Sequence, residues 1–294
     1  MNCQDQIYSE EYIDFIGNRS LIESKYTLDC KQPLGARFAS LYLKLSDGYE
    51  DGTVYGYYNI PKLFGLQDTG SMESSGILQV RENPYLKLDG SGVLIGFVDT
   101  GIDYAGSIFL KQDGTTRVTA IWDQTIPAGS PIRLPAQPEL PETPENITRT
   151  PEGFLYGSEF THEQLNAAVK MADAYEGISS RDENGHGTFL ASIAAGNELP
   201  DGSFTGAAPK ADIAMVKLKP AKNRLRAYYQ IKEDAVAYQE NDIMAGVLYL
   251  VSLAKKRQQP LVICLGLGTN AGSHRGGLPL ARMLEELGSS VGII

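Results

Sequence analysis

Asp99 and His186 are the two side chains of this sequence best placed to work together on a proton. Asp99 closes the apolar run Val93-Leu94-Ile95-Gly96-Phe97-Val98 and is followed by Thr100-Gly101-Ile102-Asp103. His186 comes 87 residues later, within Asp182-Glu183-Asn184-Gly185-His186-Gly187-Thr188, where a polar, glycine-broken loop gives way to the small and apolar residues Phe189 to Gly196. That spacing suits a buried helix, with His186 at its start. A helix N-terminus disfavours an imidazolium, so a histidine that must take up a proton there needs a carboxylate partner. An Asp at a strand end can fix the imidazole tautomer and stabilise the protonated ring, so that a nearby hydroxyl is deprotonated. Taken singly, Asp99 also reads as a loop-capping carboxylate, and His186 as a metal ligand or helix-end residue. Residue type and position alone leave those alternatives open.

The elements that must position the pair alternate between strand and helix. Continuous apolar runs at Val93–Val98, Ala211–Leu218 and Leu261–Leu267 read as strands covered on both faces. Arg117–Trp122 reads as a further short strand, and Ser289–Ile294 as the start of another. Between them, 187–196 and 241–256 read as helices. In the second, Ile243, Val247, Leu250, Val251 and Ala254 share one face, and Lys255, Lys256 and Arg257 favour its C-terminal end. Phe160–Tyr175 has a helical pattern and Leu278–Leu287 reads as a short helix. The alternation predicts an α/β fold with a mostly parallel sheet, in which catalytic groups gather at the carboxyl ends of strands.

The wording of the motifs is similar to one family. Val98-Asp99-Thr100-Gly101-Ile102-Asp103 and Asn184-Gly185-His186-Gly187-Thr188 resemble the Asp and His motifs of subtilisin-like serine proteases. Gly206-Ala207-Ala208-Pro209 through Val216-Lys217 resembles that family's strand after the His helix, and Ile263 to Thr269 resembles its substrate-binding strand. Four motifs in the family's order, over roughly residues 76–294, carry the resemblance. Arg117 to Thr125 and the long insertion at about 123–158, with seven prolines between Pro127 and Pro151, resemble the clostridial branch that includes the Csp proteases of spore germination.

The resemblance implies a subtilisin-like mostly parallel sheet with helices on both faces. It implies a serine endopeptidase acting on peptide or protein substrates. Asp99 would orient His186, and His186 would serve as general base and then acid. Leu267 and Gly268 would pair with the substrate backbone as a strand. Tyr238 and Gln239 would form the opposite wall of the cleft, unless they are only the lead-in to the following helix. Residues 1–70 would be a small N-terminal α+β unit, joined by a Gly- and Ser-rich linker at 66–76. That unit is either a prodomain cut away between about Pro61 and Ser75 or an extension that stays attached. Within it, Tyr8–Ile22 has roughly helical spacing and Ala36–Leu45 alternates as a strand does.

The sequence departs from the family at the nucleophile. It contains no Gly-Thr-Ser: Gly187-Thr188 is followed by Phe189, and Gly268-Thr269 by Asn270. The nucleophilic Ser and the oxyanion Asn are expected beyond residue 294, so that this chain is a C-terminally truncated, inactive part of a protease. The alternative is a non-catalytic pseudoprotease with a binding or regulatory role, as in spore germination signalling.

Composition narrows the rest. A formal net charge of −10 without a basic cluster argues against nucleic-acid binding. Residues Met1–Ser20 hold charges and no apolar run, and no segment is apolar enough to cross a bilayer. A cytoplasmic location with no membrane partner is therefore expected. Cys3, Cys30 and Cys264 are odd in number and not in Cys-x-x-Cys spacing, and read as free thiols in a reducing compartment. Without His-Glu-x-x-His or a second nearby His, no metal or other cofactor is expected. His162 reads as a helix-start residue, His274 as a solvated loop residue and Asp103 as structural. Lys222, Arg224 and Arg226 read as a solvated connection.

Overall fold

The apolar runs become the strands of one sheet because side chains on both of their faces find cover. In the computed structural model, which describes residues 2–25, 30–44, 57–66, 88–135, 147–272 and 275–289, the central sheet has five strands. They are β5 (Leu94–Asp99), β6 (Val118–Asp123), β7 (Ser158–Thr161), β8 (Asp212–Lys217) and β10 (Leu261–Cys264). Their spatial order is β10-β5-β8-β6-β7. β10, β5, β8 and β6 run parallel, and only the edge strand β7 is antiparallel. The fold is thus α/β with a mostly parallel sheet. Residues 290–294, expected to begin another strand, and His274 lie outside the described residues, as does nearly all of the 66–76 linker.

Alternation along β5 sends Leu94 and Val98 to one core and Ile95 and Phe97 to the other. Helix α7 (Glu240–Arg257) covers the first face and α5 (His186–Ala195) the second. Two glycines let α7 lie close. A Cβ on Gly96 would come within 2.7 Å of Leu250, and one on Gly246 within 3.0 Å of Val98. Each large aliphatic side chain buried here contributes about 1.5–3 kcal/mol. Acidic Glu240 and Asp242 in the first turn of α7 and Lys255 to Arg257 in its last complement the helix dipole.

The N-terminal residues build a separate antiparallel sheet of β1 (Tyr12–Asn18), β2 (Lys31–Leu34) and β3 (Phe38–Lys44), in the order β1-β3-β2. It is flanked by α1 (Cys3–Tyr8) and α2 (Arg19–Lys25). The helical spacing read over Tyr8–Ile22 is corrected here. Residues 12–18 pair along their whole length with β3, and residues 13–16 are buried on both faces, so tertiary pairing overrides the local pattern. The 160–175 stretch is likewise divided. Thr161 closes β7 and caps α3 (His162–Ala168) in a capping box with Gln164, before the short α4 (Ala174–Gly177).

Two further readings are corrected. Cys3 and Cys30 form a disulfide between the start of α1 and the start of β2; only Cys264 is a free thiol. Folding of the N-terminal sheet brings together two cysteines that sequence spacing leaves 27 residues apart. The connection that holds Lys222, Arg224 and Arg226 is not simply solvated. It contains α6 (Asn223–Tyr228), and Lys219 and Lys222 are buried. Lys219 Nζ lies 2.7 Å from Asp242, and Lys222 pairs with Asp14 of β1. These partners are remote in sequence, so only the fold reveals that the charges are compensated.

Candidate active site

Asp99 ends β5 fully buried, and His186 is the first residue of α5. His186 Nδ1 lies 2.8 Å from Asp99 Oδ1, the distance of a charge-assisted hydrogen bond. The same Oδ1 accepts the Thr100 backbone N–H at 2.7 Å. Burial raises the Asp99 pKa above the ordinary carboxylate value, against the opposing hydrogen bonds from His186 and Thr100.

The sequence bends sharply to make this contact. Gly185, at the N-cap, has φ of +87°, a left-handed conformation that glycine adopts without strain. Gly187 packs so closely on the Asp loop that a Cβ would come within 2.2 Å of the Gly101 carbonyl oxygen. Gly266 crosses above the pair, and a Cβ there would meet Leu190 at 2.2 Å, and Asp99 Oδ2 and His186 Cε1 at 3.2 Å. The third run therefore does not continue to 267 as one strand. It leaves the central sheet after Cys264, and Leu267–Gly268 form β11 in another sheet.

That second sheet brings the three expected substrate-binding residues onto one structure. It has the order β11-β4-β9, with β4 at Leu63–Leu66 and β9 at Tyr238–Gln239. Leu267 is opposite Leu66 and Gly268 opposite Gly65 on one side. Leu63 is opposite Gln239 and Phe64 opposite Tyr238 on the other. All pairings are antiparallel. β4, from the chain's own N-terminal segment, thus runs between β11 and β9. Tyr238 is buried rather than a solvent-facing rim, and burial together with the Asp99, Asp182 and Glu183 charges raises its pKa. It borders an open pocket of about 480 Å³ that Thr100, Glu183, Asn184, Lys217 and Val236 also line.

Sequence reasoning missed the residues that hold the His loop. Lys217, at the end of β8, donates through Nζ to the Arg181 carbonyl and to Glu183 Oε2, both at 2.7 Å. Asp182 gathers donors from both sides of His186. A lysine ending a strand and an aspartate four residues before a histidine were the available signals, but neither has meaning until the loops meet. The Asp103 backbone N–H donates to Thr188 Oγ1 at 2.9 Å, and its carboxylate accepts the Tyr175 hydroxyl, in keeping with a structural role. His162 starts α3, with Nε2 3.0 Å from the Thr116 carbonyl oxygen.

The subtilase family profile (peptidase S8) matches residues 90–286, from the lead-in to β5 through nearly all of helix α8 (Pro279–Gly288). The chain belongs to the subtilase family. Among curated proteins it is similar to subtilisin-like protease SBT3.8 of Arabidopsis thaliana, 30% identical over 144 residues that cover 44% of this chain and 16% of that protein. It is also similar to subtilisin-like protease SBT2.2 of the same plant, 31% identical over 146 residues, 47% of this chain and 16% of that protein. Among solved structures, the Clostridium perfringens CspB protease aligns with a TM-score of 0.55 and 28% identity, over 74% of this chain and 38% of that one. The clostridial resemblance in the motifs therefore extends to the fold. This subtilase chain spans about one sixth of the length of those curated relatives.

Proposed function

We propose that this chain contributes the Asp and His of a subtilisin-type triad to a serine endopeptidase. The 2.8 Å approach of His186 Nδ1 to Asp99 Oδ1 carries the reading. With Nδ1–H donated to the carboxylate, the neutral ring presents Nε2 as the base. It takes a proton from a serine hydroxyl as that oxygen attacks the scissile carbonyl, and later returns the proton to the leaving amine. Buried Asp99 holds the ring and balances its transient positive charge. No Gly-Thr-Ser occurs among the 294 residues. The nucleophile and the oxyanion donor are assigned to parts of the protein outside them, and the 294-residue chain by itself is inactive.

The peptide substrate would lie as an added strand between β11 and β9, with Leu267, Gly268 and Tyr238 as its neighbours. β4 holds that position in the chain itself. We therefore read residues 1 to about 70 as a prodomain that assists folding, occupies the cleft, and is cut by the completed enzyme between about Pro61 and Ser75. The test is to express the complete protein with and without His186→Ala. Hydrolysis of a fluorogenic peptide and a new N-terminus in that window, both lost in the variant, support the reading. A folded complete protein that hydrolyses nothing would favour the non-catalytic binding role.

A further inference from the structure

We propose that Asp182 is a positioning residue for His186, a carboxylate clamp that locks the His loop onto the Asp loop; its catalytic consequence rests on the proposed function above. Helix α5 begins at a glycine N-cap with no side chain to satisfy the first N–H groups. Asp182 supplies what is missing from outside the helix. Its Oδ2 accepts the Thr188 backbone N–H at 2.8 Å and the Thr188 hydroxyl at 2.7 Å. Its Oδ1 accepts the N–H groups of Gly185 at 2.9 Å and Asn184 at 3.3 Å, and the Thr100 hydroxyl at 2.7 Å.

Both threonines pass the connection onward. The Thr100 hydroxyl accepts the Gly187 N–H at 2.9 Å, and its backbone N–H donates to Asp99 Oδ1. The Thr188 hydroxyl accepts the Asp103 N–H at 2.9 Å. Residues immediately before and after His186 are therefore tied, through one carboxylate, to residues 100 and 103 of the loop that carries Asp99. Burial alone would raise the Asp182 pKa, but hydrogen bonds from the Thr188 and Thr100 hydroxyls and from the loop N–H groups outweigh it and hold the carboxyl below its ordinary value. The clamp is ionised at neutral pH. The ring and its partner come from elements 87 residues apart, and misplacement of a catalytic group by about 1 Å can cost roughly 100-fold in rate.

Asp182→Asn keeps the shape and removes the charge and one acceptor. NMR of the complete protein labelled with ¹⁵N-histidine reads the His186 ring directly, whether or not the protein is a protease. In the parent, the neutral ring is expected in the Nδ1–H tautomer, with a ring N–H signal protected from solvent exchange by Asp99. In Asp182→Asn, that signal is expected to broaden or vanish and the tautomers to mix, with an otherwise native amide spectrum. In the complete enzyme, kcat should fall at least tenfold with KM within about twofold, because orientation rather than binding is lost. If Asp182→Asn does not fold, Thr188→Val, which removes one arm of the clamp, decides by the same ring signal. A folded variant with the ring tautomer and exchange protection of the parent overturns the clamp. Failure of the parent complete protein to hydrolyse peptides, with the ring effect present, overturns the protease reading and leaves the clamp standing.

Discussion

Gly65 and Gly268 face each other in antiparallel register, 203 residues apart in the chain, and with them the N-terminal segment becomes the middle strand of a three-stranded sheet. Strand addition of this kind draws on backbone hydrogen bonds and so accepts many sequences. The segment holds the place assigned above to a substrate, and its direction is fixed by the register with both walls.

If the completed enzyme cuts itself, the bond must lie just past the paired residues. The new N-terminus is expected after Leu66 and no later than Ser75. Intact-mass measurement of the complete protein checks this. A cut upstream of Pro61 would mean that β4 does not mark the substrate path.

The ion pair of Asp14 and Lys222 joins the N-terminal sheet to the connection before α7, with both side chains buried. Gln239 and Asn241 also donate to Asp14 Oδ2, at 2.9 and 3.1 Å. Removing one partner strands a buried charge, so Asp14→Ala is expected to destabilise by about 3–5 kcal/mol. Replacing both, as Asp14→Leu with Lys222→Met, should recover a large part of that loss. Urea denaturation of the single and double variants measures it, and additive losses would show that the two groups do not interact.

The disulfide between Cys3 and Cys30 closes a loop of 27 residues across the N-terminal sheet. Cys30→Ser is expected to lower stability by about 2–4 kcal/mol, mainly by freeing the unfolded chain. Peptide mapping without reductant should recover residues 3 and 30 in one cross-linked fragment. Free thiols at both positions in a protein purified without reductant would restore the reading made from sequence.

Asp99 should trade stability for chemistry. A carboxyl whose pKa is raised by folding adds stability below its unfolded value, about 3.9, and loses it as pH rises through the folded value. Burial raises Asp99 in this sense. Asp99→Asn is therefore expected to raise Tm at pH 7 and to leave it nearly unchanged near pH 3. Calorimetry at the two pH values checks the sign; a lower Tm at pH 7 would mean that the ion pair with a protonated His186 stabilises the fold.

Much of the central sheet was legible because β5, β8 and the start of β10 are buried on both faces and therefore read as continuous apolar runs. Helix α7 was legible because its apolar stripe and terminal charges agree. The Asp99–His186 approach was legible from motif wording, since both residues sit where a strand ends and a helix begins. Features that depend on remote partners were hidden. β1 is a strand because β3 pairs with it, Lys222 is buried because Asp14 meets it, and Asp182 acquires meaning only when the loops at 100 and 188 converge. Gly266 hides in an apolar run that reads as uninterrupted strand, although its lack of a side chain is what lets the chain pass over the pair.

The most direct measurement is kcat/KM of the complete protein against its Asp99→Asn variant on one fluorogenic peptide at neutral pH. An amide at position 99 can accept from the ring or donate to it, and so no longer enforces the tautomer that leaves Nε2 basic. The expected loss is on the order of ten-thousand-fold, with the fold intact by circular dichroism. Activity within tenfold of the parent would contradict it, because the Asp99–His186 contact would then be a structural hydrogen bond and not part of the catalytic machinery.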